Sequence, residues 1–281
     1  MDNFVVPSPL QPQEYEVIRR MVYEQTGINL TPHKKIMVQS RLMKRLKQLG
    51  CRDFQDYLKQ TKKDANEKAM MFNLITTNVT HFFREQHHFD FLCQYLPQYL
   101  SQHKNKKLVK LWSAGCSTGQ EPYSLAITLA DFFRKQPGDF QILASDINTE
   151  VLRKAQQGIY LSEEVADIDY QLLKAHFKLG QGANRGLFKV KDQLQKKICF
   201  KQINLIDHHR NLTEEERFDF IFCRNVFIYF DQETKKGVLR RFYNQLNPGG
   251  CLFLGHSESL NPIDPTNGTW KSLAHTVYLK Q

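Results

Sequence analysis

The sequence predicts an α/β fold: a mostly parallel sheet covered on both faces, preceded by a small all-helical unit and interrupted by a hairpin-like insertion. Three observations carry this. Over the first 75 or so residues, apolar positions recur at helical spacing. From Lys107 onward, short apolar runs alternate with helical stretches of roughly a dozen residues, as in strands joined by crossover helices. Between residues 160 and 205 the alternation lapses around the glycine-rich stretch GQGANRG.

The elements follow in order. PQEYEVIRRMVYEQTG reads as a helix. A basic helix covers 32–49, with Thr31 as N-cap, Pro32 at the first helical position and Gly50 as its stop. At about 100° per residue, Val38, Leu42, Leu46 and Leu49 form a stripe facing a core. Lys34, Arg41 and Arg45 fall within about 40° of one another beside it. FQDYLKQTKKDANEKAMMFNLITTN is also helical in pattern. KLVKLWSAG is then a strand, EPYSLAITLADFF a helix, FQILASDI a strand and TEVLRKAQQGIY a helix ending at Gly158. LKAHFKL and LFKVKD flank the glycine-rich loop as short strands. FDFIFCRN is a strand, DQETKKGVLRRFYNQL a helix, NPGG a turn and CLFLGHSE a strand, with a last strand near Val277-Tyr278. The boundaries expected are 1–80 for the helical domain and 81–281 for the rest, with the insertion at about 160–203.

Composition narrows the class. Of 281 residues, 41% are hydrophobic and 24% charged, which excludes a disordered chain. No apolar stretch approaches the ~20 residues of a membrane span. The segment MDNFVVPSPLQPQEYEV has neither a basic nor an apolar signal region, so a cytoplasmic protein is expected. The six cysteines include no C-x-x-C; Cys199, Cys223 and Cys251 lie in apolar runs and are expected as buried small hydrophobes. His87-His88 and His208-His209 stand outside any H-E-x-x-H pattern, so no metal is expected. The formal charge of +10 favours an anionic partner. Seven Lys or Arg and no acidic residue lie between Glu24 and Asp53; this is either a solvated face or a surface for an acidic partner.

In parallel sheets the ligand lies beyond the carboxyl ends of the strands, which points to Ala114-Gly115, Asp146 and Arg224-Asn225. The first strand-to-helix turn, S-A-G-C-S-T-G-Q-E-P-Y-S, lacks the Lys of a phosphate-binding loop and the third glycine of a dinucleotide fingerprint. A ligand with an adenosine and no phosphate suits it, and S-adenosylmethionine is one. Asp146 is placed to accept both ribose hydroxyls, although an Asp there also serves as a helix N-cap.

TTNVTHFFRE (76–85), LWSAGCSTGQEPYS (111–124), ASDI (144–147), FDFIFCRNVFIYF (218–230) and NPGGCLFLGHSE (247–258) together resemble the CheR family of chemotaxis receptor methyltransferases. The resemblance runs essentially the whole chain. It implies a protein-glutamate O-methyltransferase that uses S-adenosylmethionine, yields S-adenosylhomocysteine and esterifies glutamates on transmembrane chemoreceptors. It also implies a fold: a helical N-terminal domain, a Rossmann-like catalytic domain and a small inserted antiparallel β-subdomain.

Carried over position by position, the resemblance implies a cofactor shell of Asn78, Thr80, Arg84, Gly115, Glu121, Asp146, Asn204, Leu205, Arg224 and Asn225. Glu121 would pair with the cofactor ammonium; alone, it reads as a first-turn acid complementing a helix dipole. Arg84 would meet a carboxylate bidentately, either the cofactor's or the substrate's. Asn204 would pair with an adenine edge and Leu205 would pack on its face. Glutamate is ionised at neutral pH, so no general base is needed, and alignment and desolvation supply the catalysis. Arg84 and Tyr229 are the expected catalytic side chains, Tyr229 closing the transfer pocket.

On the substrate side, Lys34, Arg41 and Arg45 would lie against the acidic methylation helices of the receptor. Some family members also dock the β-subdomain on a pentapeptide at the receptor C-terminus, and Gly180, Gly182 and Gly186 resemble their longer loop. That tether raises local substrate concentration. No further domain follows the catalytic region, so a minimal, monomeric enzyme is expected. Two rivals remain. A nucleic-acid methyltransferase would carry [DN]-P-P-[FY] after the fourth strand, where R-N-V-F stands, or a Pro-Cys dipeptide, which is absent. A non-catalytic S-adenosylmethionine-binding module would have no reason to keep Arg84, Glu121, Asp146, Asn225 and Tyr229 together.

Overall fold

The computed structural model describes residues 7–104, 106–207, 212–213, 215–260 and 270–281. His208-His209 lie outside them. The chain divides into two units: Met1–Thr77 with Tyr229–Asp231, and Asn78–Ile228 with Gln232–Gln281.

The first unit is helical. Helix α1 (Pro12–Thr26) begins with proline, whose missing N–H costs nothing in a first turn, and ends at Gly27 with φ +73°. Helix α2 (Lys35–Gln48) buries Val38, Leu42 and Leu46 completely, and Leu49 partly. Its start differs from expectation. Pro32–Lys34 form a 3₁₀ turn, and the Thr31 side chain caps nothing. The Thr31 carbonyl is used instead, accepting the Lys34 N–H at 2.9 Å and the Tyr15 hydroxyl at 2.6 Å. The long helical stretch after Asp53 is two helices, α3 (Phe54–Lys63) and α4 (Ala65–Ile75). Asp64 separates them, its N–H donating back to the Gln60 carbonyl and its side chain accepting from Asn66 N–H at 2.8 Å. The segment Tyr229–Asp231 joins this unit through an antiparallel bridge between Ile28 and Phe230 and an Asn29 N–H bond to the Tyr229 carbonyl at 2.8 Å.

The second unit holds a seven-stranded sheet. Its elements are α5 (His87–Gln102), β1 (Leu108–Ala114), α6 (Gln120–Phe133), β2 (Asp139–Asp146), α7 (Thr149–Gln157), β3 (Ile159–Leu161), α8 (Tyr170–His176), β4 (Phe177–Leu179), β5 (Leu187–Val190), α9 (Asp192–Gln195), β6 (Ile198–Gln202), β7 (Phe218–Cys223), α10 (Gln232–Gln245), β8 (Leu246–Leu254), β9 (Trp270–Ala274) and β10 (Val277–Lys280). The strand order is β6-β2-β1-β7-β8-β10-β9. The first five run parallel, and β10 is antiparallel to both β8 and β9. The order reverses between β1 and β7, the position at which open α/β sheets take their ligands. All six residues of β7 are buried.

NPGG is not a free turn. It lies within β8 at a break in register, where the pairing skips from Phe218–Leu246 to Phe220–Cys251. Cys223 and Cys251 are buried, but Cys199 is exposed, because β6 is a sheet edge and alternate residues face water.

The insertion is a second, three-stranded sheet ordered β3-β5-β4, antiparallel throughout. The β4–β5 hairpin is where the sequence predicts it. No strand is expected at β3, which begins just past Gly158, where the predicted helix ends, and α8 lies partly where a strand flank is expected. Ile198–Gln202, at the end of the span assigned to the insertion, pairs in parallel with β2 in the main sheet. At Gly180 a Cβ would sit 2.1 Å from the Asn184 carbonyl oxygen, so the turn closes only on glycine. Gly182 and Gly186 have φ +57° and +87°. The ring of Phe82 packs edge-on against Tyr160 at 4.9 Å and Phe177 at 5.7 Å, tying the small sheet to the loop before α5.

Candidate active site

The carboxyl ends of β1, β2 and β7 gather the charged groups. After β1 the amides of Gly115 and Cys116 both donate to the Ser145 carbonyl at 2.8 Å, pinning the turn to β2. Gly115 has φ +90°, and a Cβ there would lie 2.5 Å from Val226 Cγ2, so angle and space both demand glycine.

Asp146 ends β2 half-buried. Its Oδ2 accepts the Ser117 N–H and its Oδ1 the Asn148 N–H, each at 2.9 Å. Burial pushes the carboxyl above its ordinary value, and these amides only partly offset that. Glu121, in the first turn of α6, accepts the Ser113 hydroxyl at Oε1 (2.6 Å) and Arg224 Nη1 at Oε2 (3.1 Å). Burial raises it too, against the pull of Arg224 and Ser113.

Arg224 follows β7 with its side chain 2% exposed. Besides Glu121 it meets Glu85 Oε2, through Nη2 at 3.1 Å and Nε at 3.3 Å, and donates to the Arg84 carbonyl. Glu85 Oε1 accepts the His256 N–H at 3.1 Å and Asn225 Nδ2 at 3.5 Å, and lies 4.0 Å from Arg84 Nε. Burial alone would raise Glu85; Arg224 and the His256 amide outweigh it, and the carboxyl sits below its usual value. Asn225 is left-handed, φ +60°, and its N–H donates to Glu258 Oε2 at 2.9 Å. Glu258 also accepts the amides of Gly255 (2.7 Å) and Ile228 (3.2 Å).

The loop before α5 lies on the same cluster. The Ser117 hydroxyl donates to the Asn78 carbonyl at 2.9 Å, and the Phe83 N–H to Ser124 Oγ at 2.9 Å. Arg84, 31% exposed, donates through Nη1 to the Val79 carbonyl at 3.1 Å. Thr80 is half-buried in this loop. Beyond β6, the Ile203 N–H donates to the Asp146 carbonyl at 3.1 Å, bringing Asn204 and Leu205 to the same edge. Asn204 Oδ1 accepts the Ile206 N–H at 3.2 Å, and Arg241 donates to the Leu205 carbonyl at 2.7 Å.

The donor set suits a nucleoside with a charged amino-acid arm. Glu121 is met by two donors and keeps acceptor positions for an ammonium; Asp146 stands where a diol would meet a carboxylate; Arg84 offers a partly exposed guanidinium.

Residues 13–76 match the family described as the all-alpha domain of CheR methyltransferases, and residues 78–275 match its SAM-binding domain. The chain belongs to the CheR methyltransferase family. It is an S-adenosylmethionine-dependent methyltransferase with an all-helical N-terminal domain. The chemotaxis protein methyltransferase of Escherichia coli is 41% identical over 257 residues, covering 91% of this chain and 87% of the relative. The Salmonella typhimurium protein of the same name is 42% identical, covering 90% and 86%. Chemotaxis protein methyltransferase 2 of Pseudomonas aeruginosa is 39% identical, covering 95% and 92%.

Within the catalytic unit, Asn78, Thr80, Arg84, Gly115, Glu121, Asp146, Asn204, Leu205, Arg224 and Asn225 all fall at or beside these strand ends. Gly180, Gly182 and Gly186 shape the hairpin of the small sheet. Lys34, Arg41, Arg45 and Tyr229 lie in the helical unit. Lys34 is exposed. Arg41 binds the carbonyls of Ile75 and Thr76 at 2.5 and 2.9 Å and the Thr77 hydroxyl at 3.0 Å, closing the end of α4. Arg45 pairs with the buried Glu67 at 2.5 Å. Two acids of the cluster escaped sequence reasoning. Glu85 stands beside Arg84 and reads as a solvated loop acid; Glu258 follows a Gly-His-Ser turn and reads the same way. The available signal was their place inside otherwise apolar motifs.

Proposed function

We propose that the enzyme transfers a methyl group from S-adenosylmethionine to glutamate side chains on the cytoplasmic part of chemoreceptors, forming methyl esters. The observation that carries this reading is the charge pattern at the strand ends: two proton-prone carboxylates, Glu121 and Asp146, set against the partly exposed guanidinium of Arg84. Family membership and the chemotaxis methyltransferase relatives supply the substrate class.

When bound, S-adenosylmethionine supplies an electrophilic methyl on a sulfonium. Glu121 holds the ammonium of the amino-acid arm, Asp146 the ribose, and Asn204 with Leu205 the adenine. Asn78, Thr80, Gly115, Arg224 and Asn225 shape the surroundings. Arg84 orients a carboxylate in two-point fashion. The acceptor arrives ionised, so no residue of this chain need remove a proton. Tyr229 is a catalytic side chain in this reading: Tyr229→Phe lowers kcat about tenfold or more while S-adenosylhomocysteine affinity holds, tenfold being about 1.4 kcal/mol of barrier.

Lys34, on the 3₁₀ turn before α2, with Arg41 and Arg45 on that helix, faces the acidic methylation helices of the receptor. The small sheet, whose edge strands leave Leu161 48% and Leu179 64% exposed, takes a receptor C-terminal peptide as an added strand. Deletion of residues 181–184 should abolish tail-peptide binding in calorimetry; unchanged affinity would remove the tether from this reading. No helix among the described residues is long and apolar enough to cross a membrane, and we propose that the enzyme works in the cytoplasm as a monomer. The domains proposed are 1–80 and 81–281.

The deciding experiment supplies methyl-labelled S-adenosylmethionine to receptor-containing membranes and then mild alkali. Carboxyl methyl esters release labelled methanol. Label that resists alkali, or that resides on RNA, would overturn the reading.

A further inference from the structure

Arg224 is one cation between two carboxylates. Its guanidinium reaches Glu85 with two nitrogens, at 3.1 and 3.3 Å, and Glu121 with one, at 3.1 Å. All three groups are largely buried: the side chains are 2% exposed for Arg224 and 12% for each glutamate. Counting formal charges, the triad carries one net negative charge. Its distribution is unequal. Glu85 is saturated, with the two Arg224 contacts, the His256 amide at 3.1 Å and Asn225 Nδ2 at 3.5 Å. Glu121 has only Ser113 and a single Arg224 nitrogen.

We propose that Glu85 is a positioning residue that occupies Arg224, so that the charge of Glu121 stays available to the ammonium of the cofactor's amino-acid arm. The inference rests on the reading of Glu121 as the ammonium partner. Without the carboxylate of Glu85, Arg224 has one buried anion left to satisfy, and a buried guanidinium paired with a single carboxylate neutralises it. Glu121 would then greet an incoming ammonium as half of a closed ion pair. Arg84 is not a substitute partner for Glu85, since it stands off at 4.0 Å and donates instead to the Val79 carbonyl.

The test compares S-adenosylhomocysteine with its deamino analogue, which lacks only the ammonium, by calorimetry on the full chain. Wild-type protein should prefer S-adenosylhomocysteine. Glu85→Gln should lose at least tenfold in affinity for S-adenosylhomocysteine and less than twofold for the analogue. Glu85→Asp, which keeps the charge, should retain the preference even if both affinities fall. Equal losses for both ligands in Glu85→Gln would mean that Glu85 merely supports the fold and would overturn the proposal, as would no loss at all. Should Glu85→Gln fail to fold, the Asp variant decides: loss of its preference overturns the proposal. Glu121→Gln separates the two claims. If it keeps the preference, Glu121 is not the ammonium partner, and the underlying reading fails first. If it erases the preference while Glu85→Gln does not, only the role of Glu85 fails.

Discussion

Tyr99 donates its hydroxyl to Asp219 Oδ1 at 2.6 Å, joining residues 120 positions apart in the chain. The same carboxylate is completely buried and accepts Lys106 Nζ at 2.7 Å, Asn247 Nδ2 at 2.6 Å and the Lys110 N–H at 2.8 Å. It ties α5, β1, β7 and β8 together at the end of the sheet away from Glu121, Asp146 and Arg224. Asp219→Ala strands these donors and should cost about 3–5 kcal/mol, read from urea unfolding. Tyr99→Phe removes one bond to a charged group and should cost about 1.5–3 kcal/mol.

Gly115→Ala tests the turn after β1. The new methyl meets Val226 at a backbone angle that alanine resists, and the strain should cost about 1–3 kcal/mol. Because that turn carries the amides pinned to Ser145, S-adenosylhomocysteine affinity should fall along with the melting temperature.

Acid should weaken the fold through a buried histidine. His88 is fully buried, and burial, then the nearby Arg224 and His87, push its pKa down to about 3. The unfolded chain takes up that proton near pH 6.5. The stability from keeping His88 neutral is therefore present above about pH 6.5 and drains away as pH falls toward the folded value. The slope approaches about 1.4 kcal/mol per pH unit, or about 2 kcal/mol between pH 6.5 and 5. His176, lowered chiefly by burial, acts in the same direction. Urea titrations at pH 7, 6 and 5 measure this, and His88→Gln, which can still meet Thr276, should flatten the dependence.

Cofactor binding should show its own pH limb. Glu121 and Asp146 are both raised by burial in the ligand-free protein. In the proposed reading their ionised forms receive an ammonium and a diol. Affinity for S-adenosylhomocysteine should thus rise with pH as these carboxyls ionise, with proton release on binding, and then level off. Calorimetry in buffers of different ionisation heat detects the released protons. Glu121→Gln should reduce both the release and the slope.

Two of the three cations expected on the substrate side, Lys34 and Arg41, should separate experimentally. Lys34→Glu, on an exposed turn, should leave stability within about 0.5 kcal/mol and weaken receptor methylation. Arg41→Ala should do both kinds of damage, since its guanidinium satisfies two carbonyls at the end of α4. Thermal melts beside methylation rates distinguish the two.

The parallel core is legible because the inner parts of β1, β2 and β7 are buried and carry short apolar runs, Leu111-Trp112, Ile142–Ala144 and Phe220–Cys223. Where burial is one-sided or brief, the signal fails. Strand β3 is three residues long, so Ile159–Leu161, just past the expected helix stop at Gly158, shows no alternation to read. Helix α8 spans seven residues, too few for a periodicity, although the Asp169 side chain that accepts the Gln171 N–H at 2.8 Å was a visible start signal. Cys199 sits in an apolar run yet faces water, because only the sheet order reveals that β6 is an edge. In the site, glycines and strand-end acids stand out by position. Glu85 does not, since only the folded chain places Arg224, 139 residues later, against it.

The short visit of Tyr229–Asp231 to the helical unit bears on how this protein could be cut or recombined. The chain passes between its units three times, at Thr77–Asn78, Ile228–Tyr229 and Asp231–Gln232. No single cleavage therefore releases either unit whole. A fragment starting at Asn78 would carry Phe230 away from the Ile28 bridge that holds it, and a fragment ending at Thr77 would lack the other half of that bridge. Chimaeras that exchange front halves between relatives should fare best when the three-residue return is exchanged with them: the front unit behaves as a stitch through the enzyme rather than a prefix to it.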